Sequence, residues 1–305
     1  KKFLYDSSML SEKIQKLLFI LPTCLFLLII SIFPFLYSVY LSLFQAKLTK
    51  MHKKFFIGWE NYQVLLFEDD VFPTAIKNTF VIAFSSITIE IILGFIMAKI
   101  FFEIRHIKFS NTLRTITIMP IMLTPLCVGL VFLYILNPTL GIFSYILETV
   151  FGIEPFAYLG LSLPAKISVI AINSWQWTPF MMILLLAGLM TVPNEQYEAA
   201  KIDGANWFHV MTKIEIPSIL SFVLLGVVLR LIECIRLFDI IYITTKGGPG
   251  ISTEVMAFFT YRTEFRSFQI GSGSASAVII LIISLIVTTF AVTLLRRVEK
   301  NEGLT

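Results

Sequence analysis

Charge is what this sequence has least of. Lys, Arg, Asp and Glu make up 14% of its 305 residues and 57% are hydrophobic, whereas a soluble domain carries about 25% charged residues. That surplus of apolar surface excludes an ordinary water-soluble fold and calls for lipid. Cysteine is scarce as well: Cys24, Cys127 and Cys234 stand singly in apolar runs, with neither metal-ligand spacing nor a disulfide framework, and read as packing residues. The histidines His52, His106 and His209 fall in different connections and form no metal constellation. No GxxxxGK[ST] phosphate loop occurs. The run Gly247-Gly248-Pro249-Gly250 lacks the Lys-Ser/Thr that would hold phosphate and metal, so it reads as a tight external turn and no ATP site is expected in this chain. HExxH and GxSxG are missing too, which argues against a membrane-embedded enzyme.

What the sequence does have is long apolar runs. A helix needs about 20 mostly apolar residues to cross a bilayer. Six runs qualify: Ile14 to Phe44, Thr79 to Phe102, Leu113 to Leu136, Ile167 to Met190, Ile219 to Ile241 and Ala275 to Leu295. In hydrocarbon every backbone N–H and C=O must find a partner, and runs without period-2 alternation satisfy this as helices rather than as barrel strands. The expected fold class is therefore all-α, a polytopic membrane protein with six transmembrane helices in one domain over residues 1–305. The first run is too long and too Pro-interrupted for a cleaved signal peptide and is expected to stay as an anchor. Lys and Arg gather at the ends of runs. Lys1, Lys2, Lys13, Lys16, Lys99, Arg105, Lys108, Arg114, Lys201, Lys213, Arg296, Arg297 and Lys300 outweigh the opposite side, which favours both termini inside. Lys47, Lys50, Lys53 and Lys54 pull against that assignment and read as a solvated outer loop.

The connection Thr191 to Pro217 reads as two short helices. Pro193 suits a first turn with Thr191 or Asn194 as cap, Asp203-Gly204 supplies a stop where a left-handed residue fits, and Pro217 precedes the fifth run. Trp207, Val210, Met211 and Ile214 recur at helical spacing as one apolar stripe. Glu198-Ala199-Ala200 sets two small side chains beside a carboxylate, a surface that a groove in another protein can approach closely. An amphipathic hairpin lying on the lipid interface is the plain alternative.

These residues resemble a known signature, that of the permease subunits of binding-protein-dependent ABC importers: Glu-Ala-Ala, a Gly four residues after the second Ala, and a closing Ile-x-Leu-Pro. Here they are Glu198-Ala199-Ala200, Gly204 and Ile214-Glu215-Ile216-Pro217, with Ile216 as the one departure. Phe238 to Thr253 is similar to the segment found in the carbohydrate-uptake branch, the maltose and glycerol-phosphate type. The resemblance implies a non-catalytic transport subunit whose ATP and Mg are bound by two separate cytoplasmic ATPase subunits docked on Glu198, Ala199, Ala200, Asp203 and Gly204. It further implies a second related permease subunit, an extracytoplasmic solute-binding protein, alternating access, and residence in a bacterial plasma (inner) membrane.

Polar groups inside the runs are the substrate-pathway candidates. Arg230, Glu233, Arg236 and Asp239 stand three residues apart with alternating sign in the fifth run. Unrelieved, each would cost about 2.5 to 3.5 kcal/mol at mid-membrane. They form either a self-neutralising ladder along one helix or part of a water-filled pathway in which the arginines meet an acidic sugar. Asn173, Trp175 and Trp177 belong to a polar and aromatic interruption of the fourth run that ends at Pro179; they suit a sugar, or anchor at the interface. Pro22, Pro34, Pro120 and Pro125 are expected to kink their helices, and Ser272, Ser274 and Ser276 to let helices approach closely. An ion-coupled secondary transporter or channel would share the spans but leave the Glu-Ala-Ala loop unexplained.

Overall fold

The computed structural model describes residues 16–301. Ile14, where the first run was expected to begin, and Lys1, Lys2 and Lys13 of the orientation argument lie outside them. Among the described residues, four helices are long and apolar enough to cross a membrane: α1 (Lys16–Ser42), α2 (Val71–Glu103), α6 (Ser162–Thr191) and the first part of α12 (Ile270–Asn301). Two bent pairs add up to two more: α3 (Ser110–Met122) with α4 (Pro125–Ile135), bent by 96°, and α8 (Trp207–Ser218) with α9 (Leu220–Ile235), bent by 62°. Between them lie α5 (Ile142–Phe151), α7 (Asn194–Ile202), α10 (Asp239–Thr244) and α11 (Met256–Tyr261). Among the described residues the one sheet is a two-residue antiparallel hairpin, β1 (Phe44–Gln45) with β2 (Phe55–Phe56). The all-α expectation holds.

The core is built on α2 against α6, where Ala98 meets Met181, Met182, Leu185 and Leu189, all buried. α2 starts at Val71, earlier than the expected Thr79, because the Asp69 carboxylate accepts from Val71 N and Phe72 N (2.7 and 2.8 Å) and so satisfies free N–H groups of the first turn. Polar Asn78, just before the expected start, and Thr79 are buried because both are hydrogen-bonded across the fold. α12 likewise starts before Ala275, at Ile270, and Gly271 donates to Ala46 O (3.1 Å) in the hairpin. A Cβ at Gly271 would run into the Phe44 carbonyl, so glycine sets how closely the hairpin sits on this helix.

Three runs differ from their simplest reading. The third breaks at Thr124, held extended (ψ 141°) as residues before proline are, and Pro125 opens α4 while Pro120 stays inside α3. The fourth does not break at Pro179: α6 runs through it, and the Thr178 hydroxyl donates to Ser174 O (2.7 Å), as side chains do around membrane prolines. The fifth ends at Ile235. Arg236 and Leu237 fall into tight i−3 hydrogen bonds, Phe238 leaves helical geometry (φ −134°, ψ −57°), and α10 restarts at Asp239. α10 packs on α4 at Gly129, where a Cβ would strike the Ile243 side chain. α1 is exposed over its apolar length and is buried only at Leu41 and Ser42. That length is the surface a bilayer would cover.

Candidate functional site

At one end of the bundle the Thr191–Pro217 connection folds as the sequence pattern requires. α7 ends in a Schellman motif: Ala205 N donates to Ala200 O (2.9 Å), Gly204 N donates to Lys201 O (3.2 Å), and Gly204 takes the left-handed conformation (φ +69°). Asn206 then caps α8, its Oδ1 accepting from His209 N (2.8 Å). The two helices enclose an open cavity of about 600 Å³. Ala199, Ala200, Asp203 and Gly204 line it, together with His209 and Lys213. Glu198 is exposed on α7 beside the cavity rather than in its wall.

The loop is fixed to α2. Lys99, near the end of α2, pairs with the buried Glu215 and with Glu103 (2.8 Å). The Tyr197 ring packs on Phe102 (5.9 Å between centroids), and the Arg105 guanidinium lies 4.0 Å from the Phe102 ring centre. Burial, and then the Glu215 charge, push the Tyr197 hydroxyl above its usual pKa, so it stays a neutral phenol. The expected apolar stripe is divided. Trp207 and Met211 line a groove of about 510 Å³ with Phe95, Ile96 and Ile100 of α2, whereas Ile214 lines the cavity under α7. The π turn Met211–Glu215 causes this, because the wider turn rotates the following residues off the 3.6-residue stripe.

The interior of the bundle holds a second polar centre. Arg230 of α9 makes a two-pronged pair with Glu90 of α2 (Nε–Oε2 2.7 Å, Nη2–Oε1 2.7 Å), and both are buried. The guanidinium also lies 4.4 Å from the centre of the Trp177 ring of α6. Asn173 sits one turn away and directs its amide at Cys234 Sγ (3.7 Å). The structure therefore brings Asn173, Trp177 and Arg230 together and adds Glu90, which the sequence reading passed over. A lone carboxylate in the apolar run from Thr79 to Phe102 was the available signal, since an ionisable group at that depth calls for a partner. The other candidates stand apart. Trp175 is exposed and meets Phe132 edge-on (5.2 Å). Glu233 pairs with Arg236 (2.9 Å) at an exposed position, and Asp239 lies beyond the helix break on α10. The charges thus form no continuous ladder, because the break after Ile235 takes Asp239 off the helix and Glu90 takes Arg230.

At the end opposite α7, the glycine-rich segment folds inward. Asn78 Nδ2 of α2 donates to Ile251 O and Glu254 O (3.0 Å each), and Lys166 of α6 donates to Asn78 Oδ1 (2.8 Å). Glu254 is buried, with Arg262 at 3.1 Å. Gly247 (φ +85°) leaves room for that carboxylate, because a Cβ there would strike it. Burial pushes Glu254 up to about 7, Arg262 partly opposing and Asp69 adding to the rise. With the folded value above the ordinary 4.5, the group's contribution to stability is complete below pH 4.5 and is lost as pH rises through 7. Thermal unfolding in detergent between pH 4.5 and 8 should therefore show a melting temperature that falls with pH, and Glu254→Gln should flatten that slope. An equal slope in the variant would assign the dependence to another group.

Residues 90–300 match the model of a family described as the binding-protein-dependent transport system inner membrane component. The chain is 34% identical over 276 residues to the probable ABC transporter permease protein YurN of Bacillus subtilis (strain 168), covering 90% of this chain and 93% of that one. It is 32% identical over 284 residues to the trehalose/maltose transport system permease protein MalF of Thermococcus litoralis, covering 92% and 94%. Its fold matches a chain in the crystal structure of a bacterial alginate ABC transporter in complex with an alginate pentasaccharide-bound periplasmic protein, with a TM-score of 0.81 over 96% of this chain and 98% of that one. At 22% identity that likeness speaks for the fold alone.

Proposed function

The chain belongs to the binding-protein-dependent transport system inner membrane component family, and within it we propose the membrane subunit of an importer that carries a sugar or oligosaccharide into the cytoplasm by alternating access. Separate ATPase subunits dock on the α7 surface formed by Glu198, Ala199, Ala200, Asp203 and Gly204. A second, related permease completes the passage, and an extracytoplasmic binding protein delivers the substrate. Both termini face the cytoplasm, so the α7 end is the inner end and the Gly247–Glu254 segment lies outside. ATP and Mg stay with the partner chains.

The observation that carries this reading is the α7–Gly204–α8 turn together with its attachment to α2. A helix whose partner closes beneath it moves as a unit, and the Lys99–Glu215 pair with the Tyr197–Phe102 contact passes that motion into a helix that also holds Glu90. Two states of similar free energy can then be biased from either end. Trp175, exposed, and Trp177, partly buried, offer aromatic surface suited to a sugar, while Asn173 is buried with its amide on Cys234. The Glu233–Arg236 pair and Asp239 continue the polar path toward the outer end, and Arg230 is held against Glu90 as part of its wall.

The chain should be purified in mild detergent from its native membrane and its bound proteins identified by mass spectrometry. Recovery of an ATPase and a second permease is expected. A chain that comes alone and transports along an ion gradient in vesicles would instead be a secondary carrier.

A further inference from the structure

Between α1 and α2, at the end of the bundle opposite α7, residues 44–59 carry four lysines and no Asp or Glu. Lys47, Lys50 and Lys53 are exposed and pair with no acid among the described residues. The segment that carries them is tied down on both sides. Leu48 N donates to Phe268 O (2.9 Å) and Gly271 N to Ala46 O (3.1 Å), which holds it against the start of α12. Asn61 Nδ2 donates to Ser42 O (2.7 Å) and Phe44 O (3.0 Å), which holds it against the end of α1.

Aromatic rings carry the apolar surface of α1 up to these lysines. Tyr37, Tyr40, Phe44 and Phe56 follow one another at 6.1, 4.6 and 5.3 Å between centroids. The Lys54 ammonium lies 4.6 Å from the centre of the Tyr40 ring and 5.3 Å from that of Phe44, which sets a cation beside the last turn of the span. Beyond it, Phe55, Phe56 and Trp59 are 65, 68 and 70% exposed. Water suits the lysines but not three bare rings among them. Rings and lysines together at the end of an apolar helix make up a membrane boundary, where aromatic side chains sit at headgroup depth and ammonium groups meet phosphate. An acidic soluble protein would also match the lysines. Continuity with α1 favours lipid: Tyr40 is exposed on a helix whose apolar length a bilayer covers, so lipid already reaches the ring beneath Lys54.

We propose that Lys47, Lys50 and Lys53, together with Phe55, Phe56 and Trp59, hold anionic lipid headgroups of the leaflet at this end of the bundle. These lysines run against the orientation bias because they serve a lipid contact. The inference needs a chain that spans the membrane and is independent of what that chain transports.

The test places the assembled transporter in phosphatidylcholine nanodiscs holding a trace of spin-labelled lipid, either phosphatidylglycerol or phosphatidylcholine, with the label near the top of one acyl chain. Quenching of Trp59 fluorescence is read, in each background, as the difference between the chain with Trp59 and the same chain with Trp59→Phe. Each lysine close to an anionic surface strengthens attraction about fivefold, so at low salt labelled phosphatidylglycerol should quench Trp59 at least about fivefold more than labelled phosphatidylcholine. Lys47→Gln, Lys50→Gln and Lys53→Gln together, all at exposed positions, should make the two lipids equal and leave quenching by phosphatidylcholine unchanged. Salt at about 1 M, where the Debye length is about 3 Å, should shrink the preference in the unsubstituted chain. Equal quenching by both lipids without the substitutions, or a preference that survives the triple variant, would overturn the headgroup site. Absence of quenching by either lipid would overturn it too and would leave this face to a soluble partner. The sugar reading stands under each of these outcomes.

Discussion

Gly204→Asp should abolish substrate-stimulated ATP hydrolysis of the assembled transporter, a loss of at least about tenfold, while the chain still inserts and is recovered in normal amount. Gly204 is left-handed (φ +69°), and nothing lies within 4 Å of where a Cβ would stand. Aspartate tolerates that conformation better than most residues, so the backbone penalty is about 1 kcal/mol and the Schellman turn survives. What changes is the surface: a second carboxylate beside Asp203 faces the cavity that the ATPase is expected to fill. Glu198→Lys should have the same effect by reversing the exposed charge on α7. Gly204→Ala separates the two causes, because it carries the backbone strain without the charge and should keep most of the stimulation. Stimulation in Gly204→Asp and Glu198→Lys equal to wild type would remove the docking assignment.

How far this architecture was legible follows from where its information lies. The apolar runs and the Glu-Ala-Ala loop are local patterns, and α2, α6, α7 and α12 contain the residues those patterns assign to them, with α2 and α12 starting earlier. Gly204 does what its neighbours require of it: Asp203-Gly204 is a helix stop in sequence and a Schellman motif in space. Departures arise where a distant residue decides the local outcome. Asp69 extends α2 backwards, and the hydrogen bonds of Asn78 and Thr79 to the chain around Ile251 and Met256 make polar residues at home in a buried turn. The Met211–Glu215 π turn splits a stripe that an ideal helix would have kept on one face.

The interior site shows the same division more sharply. Spacing by three suggested that Arg230 would pair along its own helix, yet its partner is Glu90, 140 residues away in sequence. No pattern within the fifth run contains that information. Arg236 and Glu233, i and i−3 on adjoining turns, did pair as the spacing implies.

Glu90→Ala should be the most damaging single substitution inside the bundle, and more damaging than Arg230→Ala. Both partners are buried and joined by two hydrogen bonds of 2.7 Å. Removing one partner of such a pair costs about 3 to 5 kcal/mol because an uncompensated charge remains. The two halves are unequal, however: a carboxyl left alone can take up a proton, whereas a guanidinium cannot give one up. Without Glu90, Arg230 keeps only its contact with the Trp177 ring, and attraction to a ring is worth about 2 kcal/mol when desolvated. The melting temperature of the assembled transporter in detergent should therefore fall by roughly 10 °C in Glu90→Ala and by less in Arg230→Ala. The double variant Glu90→Met, Arg230→Met should recover most of the loss, since replacing a whole buried pair with apolar groups of similar volume is often close to neutral. Equal losses in the two single variants, with no recovery in the double, would show that the pair is not coupled as the geometry indicates. Transport by the double variant then separates two roles. If activity returns with stability, the pair only fixes α2 against α9; if stability returns and transport does not, the charges themselves are needed for transport.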